Sequence, residues 1–128
     1  MGDTESKEQI VRRWIEQLDD RNIGIYDELM SQDAVVHWLG ETLSRETAIQ
    51  TEEDWYRAFP DSRHEILSLT SEGDLVTLEH VLTATHQGTY QGKEPTGAEI
   101  EMRARLVYRV DGDMIREIWI ERADTTGV

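Results

Sequence analysis

The sequence predicts an α+β domain with helices packed on one face of an antiparallel sheet. Three observations carry that expectation. Ahead of Pro60, apolar residues recur at helical spacing, whereas from Arg63 onward they alternate with period two. Between the two longest alternating runs lies Thr85-His86-Gln87-Gly88-Thr89-Tyr90-Gln91-Gly92-Lys93-Glu94-Pro95-Thr96-Gly97, whose glycines and proline mark an elaborated connection between antiparallel strands. Helices followed by a meander of long strands form two packed layers. At 128 residues the chain makes one domain, 1–128, with room for a real core.

The elements follow in order. Ser6 and Gln9 form a capping box, and Ile10, Val11, Trp14, Ile15 and Leu18 place an amphipathic helix over about 5–20. Asp19-Asp20-Arg21-Asn22 breaks it, and Ile25, Tyr26, Leu29 and Met30 suggest a short second helix. The β-branched and aromatic run 34–39 reads as a strand. Ser44 is placed to cap a third helix over about 45–58, with Ala48, Trp55, Ala58 and Phe59 on its apolar side, and Pro60 ends it. A strand through Ile66 and Leu69 turns at Glu72-Gly73-Asp74. The next puts Val76, Leu78, His80, Leu82 and Ala84 on one face, and after the long connection Ile100, Met102, Ala104, Leu106, Tyr108 and Val110 share a face. The last strand follows Asp111-Gly112-Asp113. Strict alternation there assigns Met114, Ile118 and Ile120 to one face, and Ile115, Glu117, Trp119, Glu121 and Ala123 to the other.

Charge and composition exclude several functions. With 27 acidic against 13 basic residues the formal net charge is −14, which argues against nucleic acid or an anionic membrane as a partner. Cysteine is absent, so disulfides, thiolate catalysis and cysteine-bound zinc are excluded. No HExxH or comparable ligand spacing occurs, and His80 and His86, six strand residues apart, stand roughly 20 Å from each other, so no metal is expected. Without a signal peptide or a spanning apolar run, the expectation is a soluble, cytoplasmic protein. Only Lys7 and Lys93 are lysines, and a surface this acidic suits a saline cytoplasm or, equally, an ordinary acidic protein.

Beyond these patterns, Thr85-His86-x-Gly88-x-x-x-Gly92-x-x-Pro95-Thr96-Gly97 resembles the signature loop of the SnoaL-like polyketide cyclases. Ala58-Phe59-Pro60-Asp61, Glu72-Gly73-Asp74-x-Val76, Arg109-Val110-Asp111-Gly112 and Glu117-x-Trp119 fall in that family's order and spacing. The resemblance implies the cone-shaped fold shared with nuclear transport factor 2, in which a curved sheet carries the helices on its concave face around an apolar pocket. It also implies chemistry without a cofactor: a carboxylate removes a proton beside a carbonyl, and a donor receives the enolate charge. The family commonly places an aspartate four residues after the tryptophan, where this chain has Ala123. Candidates for the base are therefore Glu121, which shares a strand face with Trp119, and Asp124, which needs a bulge to turn inward. His86, or Arg105 if its face is the concave one, is the candidate donor. His37, Trp38, Trp55, His80 and Trp119 are candidate pocket walls, while His64 reads as exposed. Two functions stay open: a cyclase or isomerase acting on a small apolar carbonyl compound in a closed pocket, or a non-catalytic module that binds a small ligand or dimerises. Val81 and Val107 on the second sheet face predict a homodimer through the sheet.

Overall fold

A computed structural model describes residues 6–38 and 40–126 of the chain. Glu5 and Leu39, at the ends of two expected elements, and the side chain of Ala123 lie outside the described residues. The order is α1 (Lys7–Asp19), α2 (Ile25–Leu29), β1 (Met30–Trp38), β2 (Glu41–Ser44), α3 (Arg45–Ala58), β3 (Arg63–Glu72), β4 (Leu75–Thr85), β5 (Glu99–Asp111) and β6 (Met114–Thr126). Local chemistry sets the helix ends. The Ser6 hydroxyl accepts from the Gln9 amide at 3.1 Å, and the Gln9 side chain accepts from the Ser6 amide at 2.9 Å, so the capping box is complete. Ser44 caps α3 by accepting from the Thr47 amide at 3.2 Å, and the helix ends at the residue before Phe59-Pro60.

The six strands form one curved, unclosed sheet in the order β2-β1-β6-β5-β4-β3. Neighbours run antiparallel except β1 and β6, which run parallel. The meander from β3 to β6 matches the sequence reading. The short β2 was not foreseen, because four residues ending in a helix cap carry too little alternation to register. The three helices cover one face: Ile10, Val11, Trp14, Ile15 and Leu18 of α1 join Val76, Leu78, Tyr108, Val110 and Ile115 in a core whose members are nearly all sealed from solvent.

Irregular registers bend the sheet. Opposite β4, Leu67 is an extra residue between Ile66 and Ser68 of β3. Opposite β5, β6 carries extra residues at Arg116 and at Glu121. These bulges correct the expected faces of β6. Arg109 pairs with Glu117 but Val110 pairs with Ile115, so Ile115 joins Ile118 in the core rather than sharing the face of Trp119. Past the second bulge Asp124 pairs with Arg103 and is exposed.

A second apolar cluster, Ala58, Phe59, Leu82, Ala84 and Ile100, anchors the long connection between β4 and β5. There the Gln87 and Gly88 amides both donate to the Ala58 carbonyl, at 2.9 and 3.0 Å. A Cβ on Gly88 would stand 2.6 Å from the Arg57 carbonyl oxygen, so only glycine admits this approach.

Candidate functional site

The space between the helices and the concave sheet face is not filled. A cavity of about 170 Å³ lies there, more than ten times what one water needs (roughly 10–15 Å³). Its walls are mainly apolar and aromatic: Trp14, Tyr26, Trp38, Trp55, Tyr90 and Tyr108 stand around it with Leu82, Met102 and Ile118. Three ionisable side chains of another kind also reach it, Glu52, His64 and His80.

Each comes from a different element. Glu52 lies on α3 one turn after Ala48 and one turn before Tyr56, on the helix face turned to the cavity. Burial raises the pKa of its carboxyl, an effect that His64, the Tyr56 hydroxyl and Arg21 offset only in part. Tyr56 donates to Glu52 Oε1 at 3.4 Å. Burial and the Glu52 charge hold the Tyr56 phenol well above its usual range, so it remains a donor.

His64 follows Arg63 at the start of β3 and is fixed from behind by Asp19, the last residue of α1. Its ring Nδ1 lies 2.6 Å from Asp19 Oδ1, and its backbone amide donates to both oxygens of the same carboxylate at 3.2 and 3.1 Å. For Asp19, burial alone would raise the pKa, but the hydrogen bonds and charge of His64 outweigh it and the net shift is downward. An ionised Asp19 accepts at Nδ1–H and leaves Nε2 of His64 as the basic nitrogen. His80, in the middle of β4, tilts against His64 with ring centroids 4.9 Å apart. Burial, then the neighbouring His64, lower its pKa to about 4, so it is neutral near pH 7. Its Nδ1 is buried without a hydrogen-bond partner.

The sequence candidates divide by sheet face. Trp38, Trp55 and His80 line the cavity. Trp55 is held there by an indole N–H donated to Ser62 Oγ at 2.8 Å and by stacking on Phe59 at 4.0 Å. His86 is buried under the long connection, stacked on Phe59 with Nδ1 3.3 Å from Thr96 Oγ1; it braces the loop rather than facing the cavity. The expected pocket-wall positions of Glu121, Trp119, Arg105 and His37 are corrected, because strand parity sends all four to the opposite face. There Arg105 pairs with Glu79 at 3.0 Å and Glu121 at 3.1 Å, and His37 stacks on Trp119 at 5.5 Å while meeting Glu117 at 2.5 Å. Asp124 shares that face through its pairing with Arg103, so the bulge that exists in β6 does not bring it inward. His64, expected at the surface, is a cavity residue with a side chain only 9% exposed. The sequence did hold signals for two of the missed groups. Glu52 falls at helical spacing between Ala48 and Trp55, and His64 shares the strand parity of Ile66.

Among the described residues no group of three or more potential ligands could hold a metal ion, and no helix is long and apolar enough to cross a membrane.

Solved structures of the same architecture are numerous. The chain superposes on AclR of Streptomyces galilaeus, described as a candidate hydroxylase, with a TM-score of 0.85 at 24% identity, covering 92% of this chain and 88% of that one. IdmH of Streptomyces antibioticus, described as a candidate polyketide cyclase, gives 0.82 at 25% identity, covering 94% and 93%. A candidate SnoaL-like polyketide cyclase from Jannaschia gives 0.84 at 18% identity, covering 97% and 90%. No curated protein matches the chain in sequence. The model of the SnoaL-like polyketide cyclase family matches residues 8–125, nearly the whole chain, and with the three-helix, curved-sheet fold it establishes that the chain belongs to that family.

Proposed function

We propose that this protein is an enzyme that removes a proton beside the carbonyl of a small, uncharged, apolar compound, using only its own acid and base groups. The observation that carries this reading is the Asp19–His64 pair, closed at 2.6 Å, opening onto an apolar cavity that it shares with a carboxyl driven toward neutrality. Structural relatives are described as a hydroxylase and as cyclases, so the shared fold does not choose the reaction and the site must.

In this reading His64 Nε2 takes the proton from carbon. The C–H electrons form the new C=C bond and the carbonyl π electrons move to oxygen, giving an enolate. Asp19 stabilises the imidazolium at Nδ1–H. Glu52, held by Tyr56 and biased by burial toward its neutral form, donates from that form to the enolate oxygen, and the enolate carbon is then free to attack an electrophile in the same substrate or to be reprotonated. Base and donor each contribute about 10²–10⁴ and 10²–10³ in rate in comparable sites. The apolar walls raise the value of both by excluding water.

The test needs no knowledge of the natural substrate. Small aryl ketones such as acetophenone and 1-tetralone are incubated with the protein in D₂O, and loss of the α-proton signal is followed by NMR. Wild type is expected to accelerate exchange, His64→Gln to lose it, and Asp19→Asn to reduce it by about 10²-fold or more. Ligands that quench the cavity tryptophans yet exchange no faster than in buffer would instead support a small-ligand-binding module, a reading that the tryptophan-rich wall favours.

A further inference from the structure

We propose that Arg21 is a positioning residue for this centre. Its guanidinium ties the end of α1 to the segment entering β3 and so fixes the Asp19–His64 pair; the proposal rests on the reading of that pair given above. Arg21 follows the C-cap of α1 in the left-handed region, φ 63°, where a helix-ending turn holds it: its amide donates to the Leu18 carbonyl and the Asn22 amide to that of Gln17, both at 2.9 Å.

To this backbone cap the side chain adds a clamp. One terminal nitrogen donates to the carbonyls of Leu18 at 3.2 Å and Asp19 at 2.9 Å; the other donates to those of Pro60 at 2.6 Å and Ser62 at 2.7 Å. Two of these acceptors stand on the last turn of α1 and two on the link from α3 to β3. The first carries Asp19, and the second leads directly into β3, where His64 lies. The planar fork spans both, which a lysine ammonium with its single point of charge does not. The same guanidinium lies over the Tyr56 ring at 4.2 Å, and Tyr56 holds Glu52. One cation therefore braces the base from the side of Asp19 and the acid from the side of Tyr56. It does not itself line the cavity, and it reaches Glu52 only through its charge and through Tyr56.

The test is Arg21→Gly in the full chain, because glycine adopts positive φ without penalty and the clamp is removed without leaving a strained backbone. The tautomer and titration of His64 are read by ¹⁵N NMR of the imidazole, with Asp19, Glu52, Tyr56 and His80 as the titratable groups facing it. Ketone exchange is measured alongside. The expected result is a folded variant in which His64 is no longer held with its proton on Nδ1. Its kcat should fall on the order of 10²-fold, as for misplacement by about 1 Å, with a smaller change in KM. Added guanidinium at non-denaturing concentration should restore part of both, and Arg21→Lys should restore neither. If Arg21→Gly does not fold, Arg21→Lys carries the same readout. A His64 that keeps its tautomer and titration in either variant overturns the proposal. Were wild type to exchange no ketone while His64 still depended on Arg21, the acid/base reading would fall and the clamp would stand.

Discussion

His80 is neutral at pH 7 because burial costs its charged form more than Asp19 returns. That has a consequence for stability. The unfolded imidazole takes up its proton near pH 6.5 and the folded one near 4, so between those values the unfolded state binds more protons and stability falls as pH falls. The stabilisation is fully present above about 6.5, and its loss across the window amounts to about 3 kcal/mol. Urea unfolding at pH 7 and 4.5 should show wild type losing more than His80→Gln; parallel losses would contradict it. Glu52 has the opposite sign. Its raised pKa means that stability is lost as pH rises from the ordinary carboxyl value of 4.5 through the folded one, so Glu52→Gln should melt higher than wild type at pH 8, with the difference shrinking toward pH 4. It should also lose ketone exchange, the usual opposition between a site's stability and its use. These groups were only partly legible in the sequence. His80 could be placed by parity alone. Glu52 sits in Thr51-Glu52-Glu53-Asp54, which reads as a solvated helix face unless the spacing to Ala48 and Trp55 is weighed above the charge. Asp19 looked like part of a helix-breaking polar run, and no local pattern reveals that its carboxylate meets a ring 45 residues away.

At the scale of elements, the helices and the meander were readable because capping residues and periodicity are local properties. Apart from β2, which was too short to register, the departures along β6 come from insertions of one residue. Alternation carried past Arg116 and Glu121 gives the wrong face for Ile115 and the wrong neighbours for everything beyond, and bulges have no sequence signature strong enough to announce them. The long connection is the element whose loss would be felt most directly. Its amides at Gln87 and Gly88 terminate α3 at the Ala58 carbonyl, and Tyr90 meets Trp55 and Phe59 edge-on at 5.5 Å each, closing one side of the cavity. Gly88→Ala should push this loop off the helix end, because its new methyl would meet rigid backbone, with about 1–3 kcal/mol lost in chemical denaturation. An unchanged denaturation midpoint would show that the loop yields without cost.

The whole molecule presents a sheet face that the helices leave bare. Val81, Val107 and Trp119 are half-buried there by surrounding arginine and glutamate side chains that pair with one another across the strands. Apolar patches framed by paired charges suit a two-fold interface, and the expectation is a dimer by light scattering at micromolar concentration, lost when Trp119→Arg and Val107→Asp are combined. Net charge of −14 makes self-repulsion large in dilute buffer, so the melting temperature is expected to climb between low and molar salt; a flat profile would remove the saline reading. The parallel pairing of β1 with β6 bears on something else, the order in which the chain can fold. The first strand of the sheet waits for the sixth, so during synthesis α1 and α2 must hold their apolar faces without a completed sheet beneath them. Translation would then yield a nascent chain that stays soft until β6 emerges, and interrupting β6 should leave the N-terminal helices protease-sensitive although every residue of theirs is present.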